Sequence, residues 1–594
     1  MKNIFKTIAL GLSVAAIASC DLSEYNPNEY GESMVFGSAS SIQMALNTFL
    51  ADLGSLSDGY SSEPGKADYT IATSLSDRFT VAYTAESDLT WGGWDDLRDI
   101  NYYLQMMNSS ACGVTGSVKD DFIGQGRFFR ARWYFKMLKK YGDLPWYDHM
   151  ITEATADEYN ERDSRDLIIK MINEDLDYAI DNITTTSSDG TGLSKYVAAF
   201  LKMQANLYEA SFRKYNNVTA SVTGVAFSNY TVEDLYKEAI SAAEVIMSSG
   251  KYSLVSDYRS LFTSTALQTS EVILGAATSS TIMGSQNTYF NYSNQRSLVR
   301  PFINTYLMKD GTAYTSKSGY ATESFATEFT DRDPRLAMIV RTPGYKYNGE
   351  TVVPSIADQS APLGYQIIKF CLDESPDGAN DSKGGSNSNA TPFFRYAEVL
   401  LSYAEAKAEL GTLTDDDWAK TVGAIRKRAG ITGGLDTKPT TVDSYMKNTF
   451  YSDVTDASIM EIRRERACEL CLEGQRMDDL IRWGCGNLLA SLSWTGINFP
   501  AMDTPVDIDA DGTADYYFTA GTAPAEYQGI AVKVNDQTGL QVITNGSVKQ
   551  LEYSIASANR YWASDGHYRL QPIPALTVSL YKEKGYTITQ NPGY

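Results

Sequence analysis

Histidine is almost missing from these 594 residues, and cysteine is scarce. His149 and His567 are the two imidazoles, too few to build a histidine-rich zinc site or a histidine-based triad. The cysteines are Cys20, Cys112, Cys371, Cys468, Cys471 and Cys485. Cys20 belongs to the leader described below, and the odd number left over cannot pair completely within the chain. Cys468 and Cys471 make a C-x-x-C inside the helical pattern R-A-C-E-L-C-L-E-G, with no βαβ pattern beside it, so they are expected to be small buried thiols. Positive charge is also short: Lys and Arg total 51 against 73 Asp and Glu, for a net charge of -22. Such a body is repelled by phosphate backbones, which argues against nucleic acid as a partner. After the first 20 residues, no apolar run reaches the roughly 20 residues that a membrane-spanning helix needs.

The run at the start is too short as well. Lys2 and Lys6 precede an apolar stretch from about Thr7 to Ala18 that closes in I-A-S-C. A basic start, a short apolar centre and small residues at the end make a secretory signal. An apolar residue, two small ones and a cysteine, in place of A-x-A, resemble the bacterial lipobox, in which the cysteine is acylated and becomes the first residue. Residues 1–19 are then the signal peptide and 20–35 a tether lipidated at Cys20. Each buried CH2 of an acyl chain contributes about 0.8 kcal/mol, so several chains anchor a soluble body durably. Removing Lys2 and Lys6 with the leader takes the net charge from -22 to -24. Anchoring therefore falls to the lipid, because charge gives no attraction to anionic headgroups.

The length calls for more than one lobe, and a 43% hydrophobic content is ordinary for a globular protein. In residues 36–260 helical periodicity dominates. Leu193, Tyr196, Val197, Phe200 and Leu201, then Leu207 and Tyr208, recur at helical spacing. Similar patterns run from about Trp94 to Met107, Phe122 to Leu138, Leu167 to Ile180 and Leu235 to Met247. Helices in series joined by short polar turns point to a mainly α, tetratricopeptide-like helical-repeat scaffold. Residues 261–390 are rich in Ser, Thr, Gly and Tyr and form the expected loop-rich, ligand-binding lobe. Helical pattern returns over 391–486, including one long helix from about Ser458 to Trp483. An irregular region, 487–560, and a tail, 561–594, complete the chain.

Several blocks together resemble the SusD/RagB family of outer-membrane lipoproteins. G-Q-G-R-F-F-R-A-R-W-Y-F-K-M-L-K-K-Y-G-D-L-P-W (Gly124–Trp146) is similar to the family's G-E-A-R-F-L-R-A…Y-G-D-V-P, with Gln125-Gly126 departing from E-A. D-P-R-L (Asp333–Leu336) and R-Y-A-E-V-L-L-S-Y-A-E-A (from Arg395) resemble two more blocks. E-R-A-C-E-L-C-L-E-G-Q-R-M-D-D-L-I-R-W-G (Glu465–Gly484) resembles a fourth, and L-Q-P-I-P-A-L…I-T-Q-N-P-G-Y (Leu570–Tyr594) the family's C-terminal ending. The resemblance implies about four tetratricopeptide-like helix pairs with a variable loop-rich lobe. It further implies a lipid-anchored protein on the outer-membrane surface of a Gram-negative bacterium, seated on a SusC-like TonB-dependent barrel. There it captures an oligosaccharide, or in some members a peptide, and does no catalysis.

The matched blocks are expected to be scaffold. Glu473 and Arg476, Asp478 and Arg482, and Arg466 and Glu469 stand at i,i+3 or i,i+4, close enough to pair on a helix surface. Glu465, Glu469 and Glu473 share a helix face. A glycoside hydrolase would need two such carboxylates across an open cleft, but the interleaved arginines keep these ionised. Capture of a sugar needs flat aromatic rings for its apolar faces and amides, carboxylates or guanidinium groups for its hydroxyls. Loop aromatics amid polar residues are the candidates: Trp91 in T-W-G-G-W-D, with Tyr83 in the preceding loop; Tyr289, Tyr292 and Arg296 in N-T-Y-F-N-Y-S-N-Q-R; and Tyr345 in Y-K-Y-N-G. For each the alternative is an aromatic packed on the scaffold. V-D-I-D-A-D-G-T-A-D-Y spaces Asp507, Asp509 and Asp511 like the first ligands of a calcium loop. Gly512 sits at the sharp turn, the Thr513 carbonyl at the seventh place and Asp515 at the ninth. Phe518 replaces the twelfth-position glutamate and no helix pair flanks the loop. This is either a structural Ca2+ site or a solvated acidic turn. Besides glycan capture, the other functional readings are peptide capture, a glycoside hydrolase and a lid without affinity of its own.

Overall fold

A computed structural model describes residues 31–53, 67–71, 83–87, 91–151, 159–277, 297–347, 349–356, 361–371, 389–535, 538–554, 560–563 and 565–594. The protein is mainly α-helical. The principal helices are α1 (Ala39–Leu53), α2 (Trp94–Met107), α3 (Gly116–Tyr141), α4 (Arg165–Asn182), α5 (Lys195–Tyr215), α6 (Val232–Met247), α7 (Tyr396–Glu409), α8 (Val422–Ala429), α9 (Ala457–Glu469) and α10 (Arg476–Arg482). Local chemistry sets their starts. Thr231 Oγ1 accepts the Asp234 N–H (3.1 Å) while the Asp234 carboxylate accepts the Thr231 N–H (3.0 Å), a capping box that opens α6. Ser164 Oγ accepts the Leu167 N–H at the start of α4.

The helices stack in series: α2 on α3, α3 on α4, α4 on α5, α5 on α6, α6 on α7 and α7 on α9. Pairs α2/α3, α4/α5 and α6/α7 follow one another, and α8 and α9 touch each other and α7 as the fourth. Two glycines let α3 approach its neighbours. A Cβ on Gly126 would stand 2.8 Å from the Tyr103 ring and the Leu104 side chain, and one on Gly124 3.1 Å from Ile183. Arg130 on the same helix grips Asp175 of α4 with two 2.7 Å hydrogen bonds.

Two large apolar clusters fill the body, one among α2–α6 and one in the C-terminal half. Helix α7 belongs to both: Val399, Tyr403 and Ala406 face the first, Ala397, Leu400, Leu401 and Ala404 the second. It is buried on nearly all sides, its polar Glu398, Ser402 and Glu405 included. Strand β1 (Val272–Ala276) pairs antiparallel with β2 (Thr391–Arg395), which runs straight into α7. The loop-rich segment thus leaves and re-enters the scaffold through one strand pair.

Two expectations change. The region 487–560 is not irregular. It forms two three-stranded sheets, one ordered β3 (Thr495–Phe499), β8 (Val548–Tyr553), β7 (Leu540–Asn545), the other β4 (Pro505–Val506), β5 (Tyr516–Thr519), β6 (Ala531–Lys533). Gly546-Ser547, a two-residue loop closed by the Asn545–Val548 pair, turns β7 into β8. The long helix from Ser458 to Trp483 is two helices. Leu472 (φ +63°) and Gly474 (φ +82°) take left-handed backbone between α9 and α10. Side chains from elsewhere catch the carbonyls at and just past the end of α9: Tyr258 OH and Arg395 Nη2 donate to Glu469 O (both 2.8 Å), and Lys369 Nζ to Cys471 O (2.6 Å). Terminal carbonyls satisfied in this way stop a helix.

The folded body also begins earlier than expected. Residues 32–36 form a short helix whose Phe36 is buried, so the tether gives way to the folded body before residue 35. At the other end the Q-N-P-G-Y tail folds back onto the first helices. Arg162 donates to Thr589 O (2.7 Å) and Asn591 Oδ1 (2.8 Å), and Asn591 Nδ2 donates to Tyr141 O (3.0 Å) and Gln571 O (2.6 Å).

Candidate ligand-binding residues and the buried ion network

Of the six aromatic and guanidinium candidates, Tyr289, Tyr292 and Arg296 lie outside the described residues, as does the lipidation residue Cys20. Tyr83 is a correction: it is buried, not an open loop ring. The returning tail covers it, with Tyr568 and Tyr594 edge-to-face at 6.0 and 6.1 Å. Trp91 is half-buried, edge-to-face with Trp94 (5.1 Å) and Tyr141 (6.1 Å), and its indole N–H has no protein acceptor among the described residues. Gly93 beside it is exposed, and its carbonyl takes the Trp133 indole N–H at 2.7 Å. Tyr345 is half-buried with the Arg341 guanidinium 5.5 Å from its ring centre. The described contacts leave Tyr83, Trp91 and Tyr345 in separate clusters.

The acidic loop is drawn together. Carboxylate oxygens of Asp507, Asp509 and Asp511 all lie within 4.8 Å of one another. Asp507 accepts the N–H groups of Ala510 (2.7 Å) and Gly512 (2.8 Å), Asp509 that of Asp511, and Asp511 that of Thr513. Ala510 (φ +65°) and Gly512 (φ +94°) make the tight turn. Asp515 stands apart, with Oδ2 on the Ile508 N–H (2.8 Å). Burial, then the charges of Asp509, Asp507 and Asp511, push its carboxyl up to about 6.

The matched sequence blocks meet in a buried network of charges. Arg335 of D-P-R-L pairs with Asp333 (2.7 Å), Glu465 (2.7 Å) and Glu469 (2.9 Å). Arg395 of R-Y-A-E pairs with Glu271 (3.0 Å), Glu469 (2.6 Å) and Glu473 (2.6 Å). Arg428 joins Glu271 and Glu469, and Arg426 joins Glu461 and Glu465. This overturns the expected surface pairs along one helix. Glu473 bonds Lys369 and Arg395, Arg476 bonds Asp68, Asp478 bonds Lys139, and Arg466 and Arg482 converge on Asp479. The spacing placed those groups as neighbours on a helix, but the helix is interior and its partners come from other elements. The sign in the sequence was arginine and glutamate interleaved all round one helix in E-I-R-R-E-R-A-C-E (Glu461–Glu469), which leaves no apolar face to bury apart from the charges.

The same geometry bears on the hydrolase reading. Glu465 and Glu469 are buried and clasped by guanidinium groups. Burial pushes the Glu469 carboxyl up, but Arg428, Arg395 and Arg335 outweigh it and hold the group well below the usual range. It carries no proton to donate. A cavity of about 170 Å3 touches Glu398, Glu473, Asp478 and Asp479, smaller than the roughly 300 Å3 at which small-molecule sites begin. Cys468 and Cys471 are buried, and burial pushes the Cys468 thiol up to about 12, as inert core thiols behave. Among the described residues no helix is long and apolar enough to cross a membrane.

Comparison with known proteins matches this arrangement. A sequence model of the SusD family covers residues 244–594. The comparison with curated proteins finds no match. A SusD-like carbohydrate-binding protein from Bacteroides fragilis is similar over 92% of this chain and 99% of its own, at 18% identity and a TM-score of 0.65. A SusD-like protein from the same organism covers 94% and 98%, at 19% identity and a TM-score of 0.64. A SusD superfamily protein from Bacteroides vulgatus covers 94% and 100%, at 16% identity and a TM-score of 0.56. Those identities speak to the fold, whereas the family match takes in D-P-R-L, R-Y-A-E, E-R-A-C-E-L and the tail in one collinear span. More than half of the chain follows that sequence model, and the chain belongs to the SusD family.

Proposed function

We propose that the chain is a cell-surface lipoprotein that captures an oligosaccharide and passes it to a SusC-like TonB-dependent barrel in the outer membrane. The observation that carries this reading is the family match over residues 244–594. The leader ending at Cys20 supports a lipid anchor, and the acidic body supports a neutral ligand rather than a polyanion. Trp91, half-buried beside the exposed Gly92-Gly93, is the described aromatic best placed to meet a sugar face. Tyr289, Tyr292, Arg296 and Tyr345 complete the proposed contact set within the 261–390 lobe. The trio Asp507, Asp509 and Asp511 is proposed to bind a structural Ca2+, with the Thr513 carbonyl and Asp515 as the candidate further ligands.

Retardation of the chain in affinity gels loaded with different polysaccharides tests the reading. A shift with one glycan class, without degradation of the glycan, is expected, and Trp91→Ala should weaken it. Peptide capture is the second reading. The burial of Tyr83 leaves one aromatic face fewer for sugar, and retardation by no glycan, with binding to a peptide pool, would establish it in place of the first.

A further inference from the structure

A cleft of about 780 Å3 opens between the 311–320 segment, the 434–443 loop with the short helix Ser444–Thr449 that follows it, and helices α8 and α9. That volume falls within the range of small-molecule sites. It is separate from Trp91, Tyr345 and the acidic loop, none of which lines it.

Its floor is charged but balanced. Arg464 pairs with Asp443 (2.5 Å) and Glu461 (3.1 Å), and Arg426 pairs with Glu461 (2.6 Å). Lys438 at the edge places its ammonium on Leu413 O (2.6 Å). Both guanidinium groups of the floor are paired with carboxylates, and among the described residues the Lys438 ammonium at the edge is the lining charge bonded to a carbonyl instead. What remains is neutral hydrogen-bonding capacity. The side chains of Thr440, Thr441, Ser444 and Asn448 line the cleft, and none makes a hydrogen bond to the protein among the described residues. Aromatic surface stands among them: Tyr320, half-buried, meets Tyr445 edge-to-face at 6.3 Å.

The wall that carries Tyr320 is held in place. Its carbonyl accepts from the buried Arg300 (3.2 Å) and from Tyr314 OH (3.3 Å). The next carbonyl, Ala321 O, accepts from Asn498 (2.9 Å) and Asn545 (2.7 Å) of the β3–β8–β7 sheet. Four side chains thus fix two successive peptide units at the cleft. Preorganisation of this kind lowers the ordering cost of binding.

We propose that this cleft is a second saccharide-binding site, for a short neutral oligosaccharide packed on Tyr320 and hydrogen-bonded by Asn448 and the surrounding hydroxyls. The proposal rests on the reading of the chain as a glycan binder and adds a place on it that is independent of Trp91. Calorimetric titration of the full chain with maltohexaose, cellohexaose, xylohexaose and mannohexaose tests it. The variants are Tyr320→Ala with Asn448→Ala; Thr441→Trp, which fills the mouth from an exposed position; and Trp91→Ala. Thermal unfolding confirms that each is folded.

The expected result is two binding events for the hexaose that binds. One becomes roughly tenfold or more weaker in both cleft variants and is unchanged in Trp91→Ala. A single event with the same cleft dependence also supports the site. Binding that neither cleft variant alters overturns this proposal and leaves glycan capture standing. No heat with any hexaose overturns both.

Discussion

Replacing Glu469 by glutamine keeps the volume and removes one charge from the centre of the ion network. In the native chain the carboxylate accepts from Arg335 (2.9 Å), Arg395 (2.6 Å) and Arg428 and is fully buried. Glutamine leaves one acceptor and turns an NH2 toward a guanidinium. Three arginines are then left to share Asp333, Glu271, Glu465 and Glu473. Removing one member of a buried ion pair costs about 3–5 kcal/mol, against about 5–15 kcal/mol for a typical total stability. Urea unfolding followed by tryptophan fluorescence should show a large drop in midpoint with an unchanged slope.

The control is Glu174→Gln. Its pair with Lys170 (3.7 Å) has side chains 42% and 53% exposed, so the change should cost about 0–0.5 kcal/mol. A pH series adds a second readout. The three arginines hold the folded Glu469 carboxyl well below its ordinary 4.5. Below that value the unfolded chain binds a proton that the folded one does not, and stability falls as pH falls. Glu469→Gln lacks this proton uptake, so its stability should fall less steeply in acid. If Glu469→Gln costs no more than Glu174→Gln, or keeps the native acid slope, the network does not hold the fold in the way described.

Gly126→Ala should destabilise the fold by about 1–3 kcal/mol of overpacking. The new Cβ meets the buried Tyr103 ring, whose hydroxyl is tied to Phe122 O, and an unchanged midpoint in thermal unfolding would refute the close approach of α2 and α3. Asn591→Ala removes the bonds to Tyr141 O, Gln571 O and Arg162. At about 1–3 kcal/mol per buried group left without a partner, limited proteolysis should release the tail faster than in the native chain. Calcium at a hundredfold excess over its dissociation constant should stabilise the chelator-treated chain by about 2.7 kcal/mol. Asp509→Asn with Asp511→Asn should abolish that increment, and a native midpoint that ignores calcium would refute the site.

Amphipathic helices were legible from the sequence because one-sided burial writes a helical period into it. The pattern from Trp94 to Met107 coincides with α2, and the others are short of the true ends by a few residues. Those missing turns are set by caps such as Ser164 and Thr231 rather than by apolar residues. The break after α9 was not legible, because Leu472 takes left-handed backbone for tertiary reasons: Tyr69 OH accepts its N–H and Lys369 Nζ donates to the neighbouring Cys471 carbonyl. The sheets of 487–560 were missed among polar residues, although Gly546-Ser547 marked their hairpin. For the candidate site, spacing could draw Asp507, Asp509 and Asp511 together, since they are local. Tyr83 could not be placed, since what buries it lies almost 500 residues further along the chain.

The tail clasp sets a timetable for folding. Arg162 waits for Asn591, 429 residues later. At about 5–20 residues per second of synthesis, the helices around it stand for about 20–90 s with that guanidinium unsealed. Contacts of such long range form late and slow a fold.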